Sequence, residues 1–154
     1  MRKFFVVGAI ASCLLAGCAS QMAQSGLKEH CAKEGKQVFF LDTDQKGIPL
    51  FIETASALGL CVGPDDVAQL PETFGAEVIL GSAVKGGVGV FSVSKGSTAE
   101  KAGIKPSDVI YEFDGHAITR SLDLRSAIEA TPAGKQATIK FRRAKHEMAT
   151  VAQF

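Results

Sequence analysis

The sequence predicts an α+β chain: a small, partly open β-barrel with two short helices, preceded by a small disulfide-stapled α/β subdomain. Three observations carry that prediction. Short β-rich runs recur through the second half, at Val88–Val93, Val109–Phe113, 137–143 and 148–154. Two helix signals interrupt them, after Ser97 and at Ser121. Two cysteines, Cys31 and Cys61, lie in the first half and remain to pair once Cys13 and Cys18 are assigned to the N-terminal segment.

The stretch from Gly96 to Ile118 gives the clearest local signals. Ser97 reads as a helix N-cap with Glu100 completing a capping box, and Gly103 sits where a left-handed residue ends the helix. Lys105-Pro106-Ser107-Asp108 is a proline turn. Val109–Phe113 has strand composition, and Asp114-Gly115 is a hairpin dipeptide leading to Ala117-Ile118. Upstream, residues 76–84 read as extended structure interrupted by Gly81, and Lys85-Gly86-Gly87 as a turn into Val88–Val93. Downstream, Leu122, Leu124, Ala127 and Ile128 give residues 121–130 one apolar helical face, stopped by Pro132-Ala133-Gly134. Residues 137–143 and 148–154 alternate as an antiparallel pair, so the apolar end Val151-Ala152-Gln153-Phe154 reads as the last strand.

The ordered series Gly96-Ser97-Thr98-Ala99-Glu100-Lys101-Ala102-Gly103-Ile104, then Ser107-Asp108 and Ile110, resembles the PDZ domain of bacterial HtrA-type proteases. Thr98 stands where that pattern usually has proline, and Ser107 where it has glycine. The resemblance covers residues 76–154 and implies the same barrel.

The N-terminus reads as an address. Met1-Arg2-Lys3 is basic, and Phe4 to Leu15 is apolar but too short for a span. Leu15-Ala16-Gly17-Cys18 resembles a bacterial lipobox. This implies cleavage of a lipoprotein signal peptide (1–17), lipidation of Cys18 with palmitate among its acyl chains, and a polar lipidated tether over 18–26; an ordinary secretory signal is the alternative. Ala19 after the cysteine points to the outer membrane, facing the periplasm, with surface display open. Multiple acyl chains would hold a soluble domain at a membrane surface.

Cys13 leaves with the signal and Cys18 carries lipid, so Cys31 and Cys61 remain, and an oxidising compartment makes them a disulfide. A loop of about thirty residues contributes roughly 3 kcal/mol in the chain-entropy picture. Residues 27–75 form a small subdomain of no recognised family: a helix over 27–33, a strand over 36–41, a polar turn over 42–47, an extended segment over 48–52, and a brief helix over 53–60. Asp42 and Asp44 faintly resemble a calcium loop, but Lys46 occupies a ligand position and no glutamate follows. No metal or cofactor is expected.

A PDZ-like domain takes an extended peptide as an added strand facing a helix, with a carboxylate loop of pattern x-Φ-G-Φ, where Φ is apolar. Its glycine lets amides converge on an anion. The resemblance places that loop one strand before Val88–Val93, which points to Ile79, Leu80, Gly81 and Ser82, with Val84 on the binding edge and Leu124 and Ile128 from the helix. The alternative is that the same residues are core of a fold that has lost peptide binding, against which the intact Gly81 speaks.

Enzyme activity is not expected. Too few residues precede position 76 for a protease domain, and no Gly-x-Ser-x-Gly occurs. His30, His116 and His146 lie in a helix, after a turn and in a hairpin loop, settings that favour exposed polar roles. A formal charge of +1 argues against nucleic acid held by bulk electrostatics. Two functions stay open: a membrane-anchored, non-catalytic module binding a protein segment or C-terminus by β-augmentation, or a structural lipoprotein whose domain mediates docking or self-association.

Overall fold

A computed structural model describes residues 18–48, 52–80, 84 and 86–154. The expected signal peptide lies outside the described residues, as do Gly81 and Ser82. Among the described residues, no helix is long and apolar enough to cross a membrane.

The N-terminal part is helix α1 (Cys18–Lys33), strand β1 (Gln37–Ile48) and strand β2 (Ile52–Val62). The polar tether expected over 18–26 is therefore helical, continuous with the helix expected from 27. Strands β1 and β2 pair antiparallel from Gln37↔Val62 to Ile48↔Ile52. That ladder replaces both the turn expected over 42–47 and the helix expected over 53–60; an eleven-residue strand with a partner satisfies its backbone groups across the ladder. The expected disulfide between Cys31 and Cys61 is present, with Cα atoms 5.2 Å apart, and fastens α1 to the end of β2.

Beyond a 3-10 turn at Pro64–Asp66 come β3 (Val67–Gln69), β4 (Ala76–Ile79), β5 (Val88–Val93), α2 (Thr98–Lys101), β6 (Val109–Phe113), β7 (His116–Ala117), α3 (Ser121–Glu129), β8 (Gln136–Arg143) and β9 (His146–Gln153). The strands run in the order β3-β4-β5-β6-β8-β9, with β7 on β6, and every pairing is antiparallel. The fold is thus the expected α+β arrangement. The sheet begins at β3, nine residues before the boundary expected at 76, because Val67–Gln69 pair with β4.

Local chemistry explains the turns. Ser97 Oγ accepts the Glu100 amide, and Glu100 Oε2 accepts the Gly96 amide, so both ends of the cap are used. Asp114 and Gly115 both adopt positive φ, as a two-residue hairpin requires. Asp108 is fully buried; Arg143 grips both its oxygens, at 2.7 and 2.8 Å, and Lys105 donates its amide to it.

Among the described residues, two apolar clusters fill the interior. The main core includes Leu70, Phe74, Val78, Ile110, Phe113, Leu124, Ile128, Ile139 and Phe141. The second joins Phe39 and Val62 of the N-terminal part to Ile79 and Val84. Gly89 makes this joint possible: a Cβ there would lie 2.7 Å from Phe39 Cζ and 2.9 Å from Val84 Cγ2.

Candidate functional site

The candidate site is the edge of β4 that faces away from β5. The loop leading into β4 reads Thr73-Phe74-Gly75-Ala76, which fits x-Φ-G-Φ. Phe74 is fully buried, and its ring stacks on Phe154 at 6.0 Å. Gly75 has φ +71, and a Cβ there would stand 2.5 Å from Ser97 Cβ, so only glycine fits. The capped turn holds this loop from behind: Ala99 donates its amide to the Phe74 carbonyl at 3.0 Å, and Ser94 donates to Gly75 at 2.9 Å. With both carbonyls engaged on that side, the amides of Phe74 and Gly75 converge on one oxygen, the Pro71 carbonyl, each at 2.9 Å.

The β4 edge carries a strand of this same chain. In β3, Val67, Ala68 and Gln69 pair with Ile79, Val78 and Glu77. Leu70 donates its amide to the Ala76 carbonyl at 2.9 Å, and Leu80 donates to Asp66 at 2.8 Å. Leu70 is 3% exposed and joins the main core, with Ala68 packed against it. From α3, Arg125 Nη2 donates to the Gln69 carbonyl at 3.1 Å. Between β3 and α3 remains a cavity of about 150 Å³, to which Leu70, Leu80, Leu122 and Arg125 contribute. A second hollow, about 420 Å³, lies against the opposite face of α3, beside Ile118 and Lys135.

Each residue predicted for the site has a definite place, Gly81 and Ser82 apart. Ile79 ends β4 and is buried with Phe39 and Val62, and Val84 joins the same cluster instead of lining an edge. Leu124 and Ile128 are both fully buried in the main core and do not face the cavity. Leu80, 43% exposed, is the member of the predicted set that lines it. Leu70, Phe74, Gly75, Leu122 and Arg125 also stand around this edge and were not among the residues expected from sequence. Phe74-Gly75-Ala76 carried the motif in plain view. Leu122, 61% exposed, is the apolar helix residue that faces outward.

The start of α3 is fixed electrostatically. Arg120 Nη2 lies 2.7 Å from Asp123 Oδ1, and Thr119 donates to Asp123 Oδ2. The hydrogen bond from Arg120 holds the Asp123 carboxyl down to about 2 against the opposing effect of desolvation, with help from that of Thr119. Among the described residues, no group of three or more His, Cys, Asp and Glu side chains is placed to hold a metal ion. His116 Nδ1 lies 3.1 Å from the Asp114 carbonyl, beside a turn rather than a nucleophile.

Comparison with known proteins gives a family match: a model described as PDZ domain covers residues 68–152. The serine protease Do-like HtrA of Lactococcus lactis subsp. lactis is 43% identical over 63 residues, 41% of this chain and 15% of that protein. A probable periplasmic serine endoprotease, DegP-like, of Hahella chejuensis is 41% identical over 59 residues, 38% of this chain and 13% of that protein. The chain thus matches less than a fifth of the length of either relative. Among solved structures, the HtrA3 PDZ domain bound to a phage-derived ligand gives a TM-score of 0.41 at 21% identity, covering 47% of this chain and 63% of that one. The HtrA-type protease AlgW with a decapeptide gives 0.46 at 15% identity, covering 72% of this chain and 40% of that one.

Proposed function

Because the chain belongs to the PDZ domain family, matched over residues 68–152, we propose that it is a non-catalytic peptide- or protein-binding module. It takes an extended segment, ending in a free carboxylate, as an antiparallel strand on the β4 edge facing α3. The carboxylate loop in this reading is Thr73–Ala76 rather than Ile79–Ser82. The observation that carries it is the pairing of β4 with Val67–Gln69, followed by Leu70 buried beside the loop, which supports this edge as one that takes a strand. Main-chain pairing supplies affinity, and alternate side chains supply selectivity.

The lipobox at Leu15–Cys18 supports anchoring by lipid on Cys18, and Ala19 supports placement at the outer membrane facing the periplasm. The Cys31–Cys61 bond agrees with an oxidising compartment. A docking or self-assembling lipoprotein is the second reading, favoured by one fact: the β4 edge already has a partner within the chain.

An array of decapeptides with free C-termini, probed with the wild-type protein and with Leu122→Glu, tests the first reading. Exposed Leu122 can change without opening the core. Binding should require the free carboxylate and fall at least tenfold in the variant. Binding that is indifferent to C-terminal amidation and to Leu122→Glu would place the site elsewhere, and no binding at all would favour docking.

A further inference from the structure

We propose that Val67-Ala68-Gln69-Leu70 is a resident ligand of the groove, which an incoming peptide must displace; this rests on the peptide-binding reading above. Both halves of peptide recognition are already satisfied within the chain. Strand pairing is used, since Leu70 and Leu80 donate across the β3–β4 ladder at 2.9 and 2.8 Å. The loop amides are used as well, since Phe74 and Gly75 both donate to the Pro71 carbonyl, the oxygen next along from Leu70. Leu70 is buried where the last side chain of a ligand would go, and Ala68, two residues before it, packs on the core. Gln69 points outward between them, its carbonyl held by Arg125. The segment thus defines the class of peptide that competes: extended, with an aliphatic last residue and a small residue two places before it.

One edge takes one strand, so occupation by β3 and by a peptide are mutually exclusive. A tethered segment competes at high effective concentration, and apparent affinity falls by the fraction of molecules in which the edge is free. The tether comes from the stapled N-terminal part. Val62 is buried beside Phe39, and Gly63 and Asp66 exchange hydrogen bonds, Gly63 N to Asp66 Oδ2 at 2.9 Å and Asp66 N to the Gly63 carbonyl at 3.1 Å. The chain therefore enters β3 from a fixed position, with four residues between Val62 and Val67. Release breaks only a short ladder, because β3 holds three residues.

The test uses the hexapeptide Asp-Asp-Val-Ala-Gln-Leu with a free carboxylate, a copy of residues 65–70, titrated against three proteins. One is the full-length wild type. The second is Ala68→Pro, which removes a ladder amide and loosens β3. The third carries Gln69→Cys and Glu77→Cys, opposite each other in the register, and locks β3 in place as a disulfide. The Ala68→Pro protein should bind at least tenfold tighter than wild type. The locked protein should bind at least tenfold more weakly than after reduction, against wild type reduced in parallel. That second comparison decides the matter if Ala68→Pro fails to fold. Equal binding by all proteins overturns the gate while leaving a Leu122→Glu-sensitive groove intact. Absence of binding to every form overturns the gate, and failure of the peptide array as well overturns the binding reading with it.

Discussion

The amide of Leu70 and the carbonyl of Ala76 meet at 2.9 Å, which puts the residue just after β3 against the first residue of β4. Leu70 is also part of the main core. One residue therefore serves both the fold and the groove, and the strand edge of this PDZ domain is engaged from within.

The Asp108–Arg143 pair should be the most sensitive polar site in the fold. Asp108 is fully buried, with Arg143 on both oxygens and a further Arg143 bond to the Gly103 carbonyl at 2.8 Å. Arg143→Ala leaves a buried carboxylate without its cation, a change that costs about 3 kcal/mol. Urea denaturation of the variant measures this directly, and a loss below about 1 kcal/mol would contradict it.

Ser107 should be improvable. It adopts φ +73, in the left-handed region, while its amide donates to the Val90 carbonyl at 2.9 Å. A side chain there costs about 1–2 kcal/mol, offset in part by the greater freedom of glycine when unfolded. Ser107→Gly is expected to raise stability by about 0.5–1 kcal/mol, read as a higher denaturation midpoint.

The joint between the N-terminal part and the sheet should depend on Phe39 and Gly89. Phe39→Ala removes a ring that is 2% exposed and should cost about 3–4 kcal/mol. Gly89→Val should act from the other side, since even a Cβ would come within 2.7 Å of the Phe39 ring. Limited proteolysis near Gly63–Pro64 is expected to accelerate in both variants, and unchanged cleavage would contradict this account of the joint.

Asp123 gives the acid response. Its folded value, about 2, lies below the ordinary 3.8, so the contribution of its contacts is complete above the ordinary value and is lost as pH falls through about 2. A carboxyl titration by NMR should show that low midpoint in the wild type. In Arg120→Ala it should move up toward the ordinary value.

What was legible in the sequence was local. Ser97, Gly103 and Asp114-Gly115 act through backbone geometry within a few residues, and each appears where its chemistry requires. Strand β2 was not legible, because Glu53-Thr54-Ala55-Ser56-Ala57-Leu58 contains good helix formers and its strand state depends on β1, a partner that pairs across the chain. The choice between two candidate loops was not legible for a related reason. Phe74-Gly75-Ala76 and Ile79-Leu80-Gly81 both offer an apolar residue before glycine, and only the pairing of Ala76 with Val93 shows which one heads the strand beside β5. The resident β3 gave no signal at all, since Asp66 to Glu72 reads as a linker until β4 is beside it.

The most direct measurement of the central claim is an amide-resolved NMR titration of the Ala68→Pro protein with the Asp-Asp-Val-Ala-Gln-Leu peptide. The account predicts shifts concentrated at Phe74, Gly75, Ala76 and Val78 and at Leu122 and Arg125, the two walls of the groove. Shifts concentrated instead along the outer edge of β9, around Thr150 and Val151, with the Phe74–Val78 amides unmoved, would contradict it.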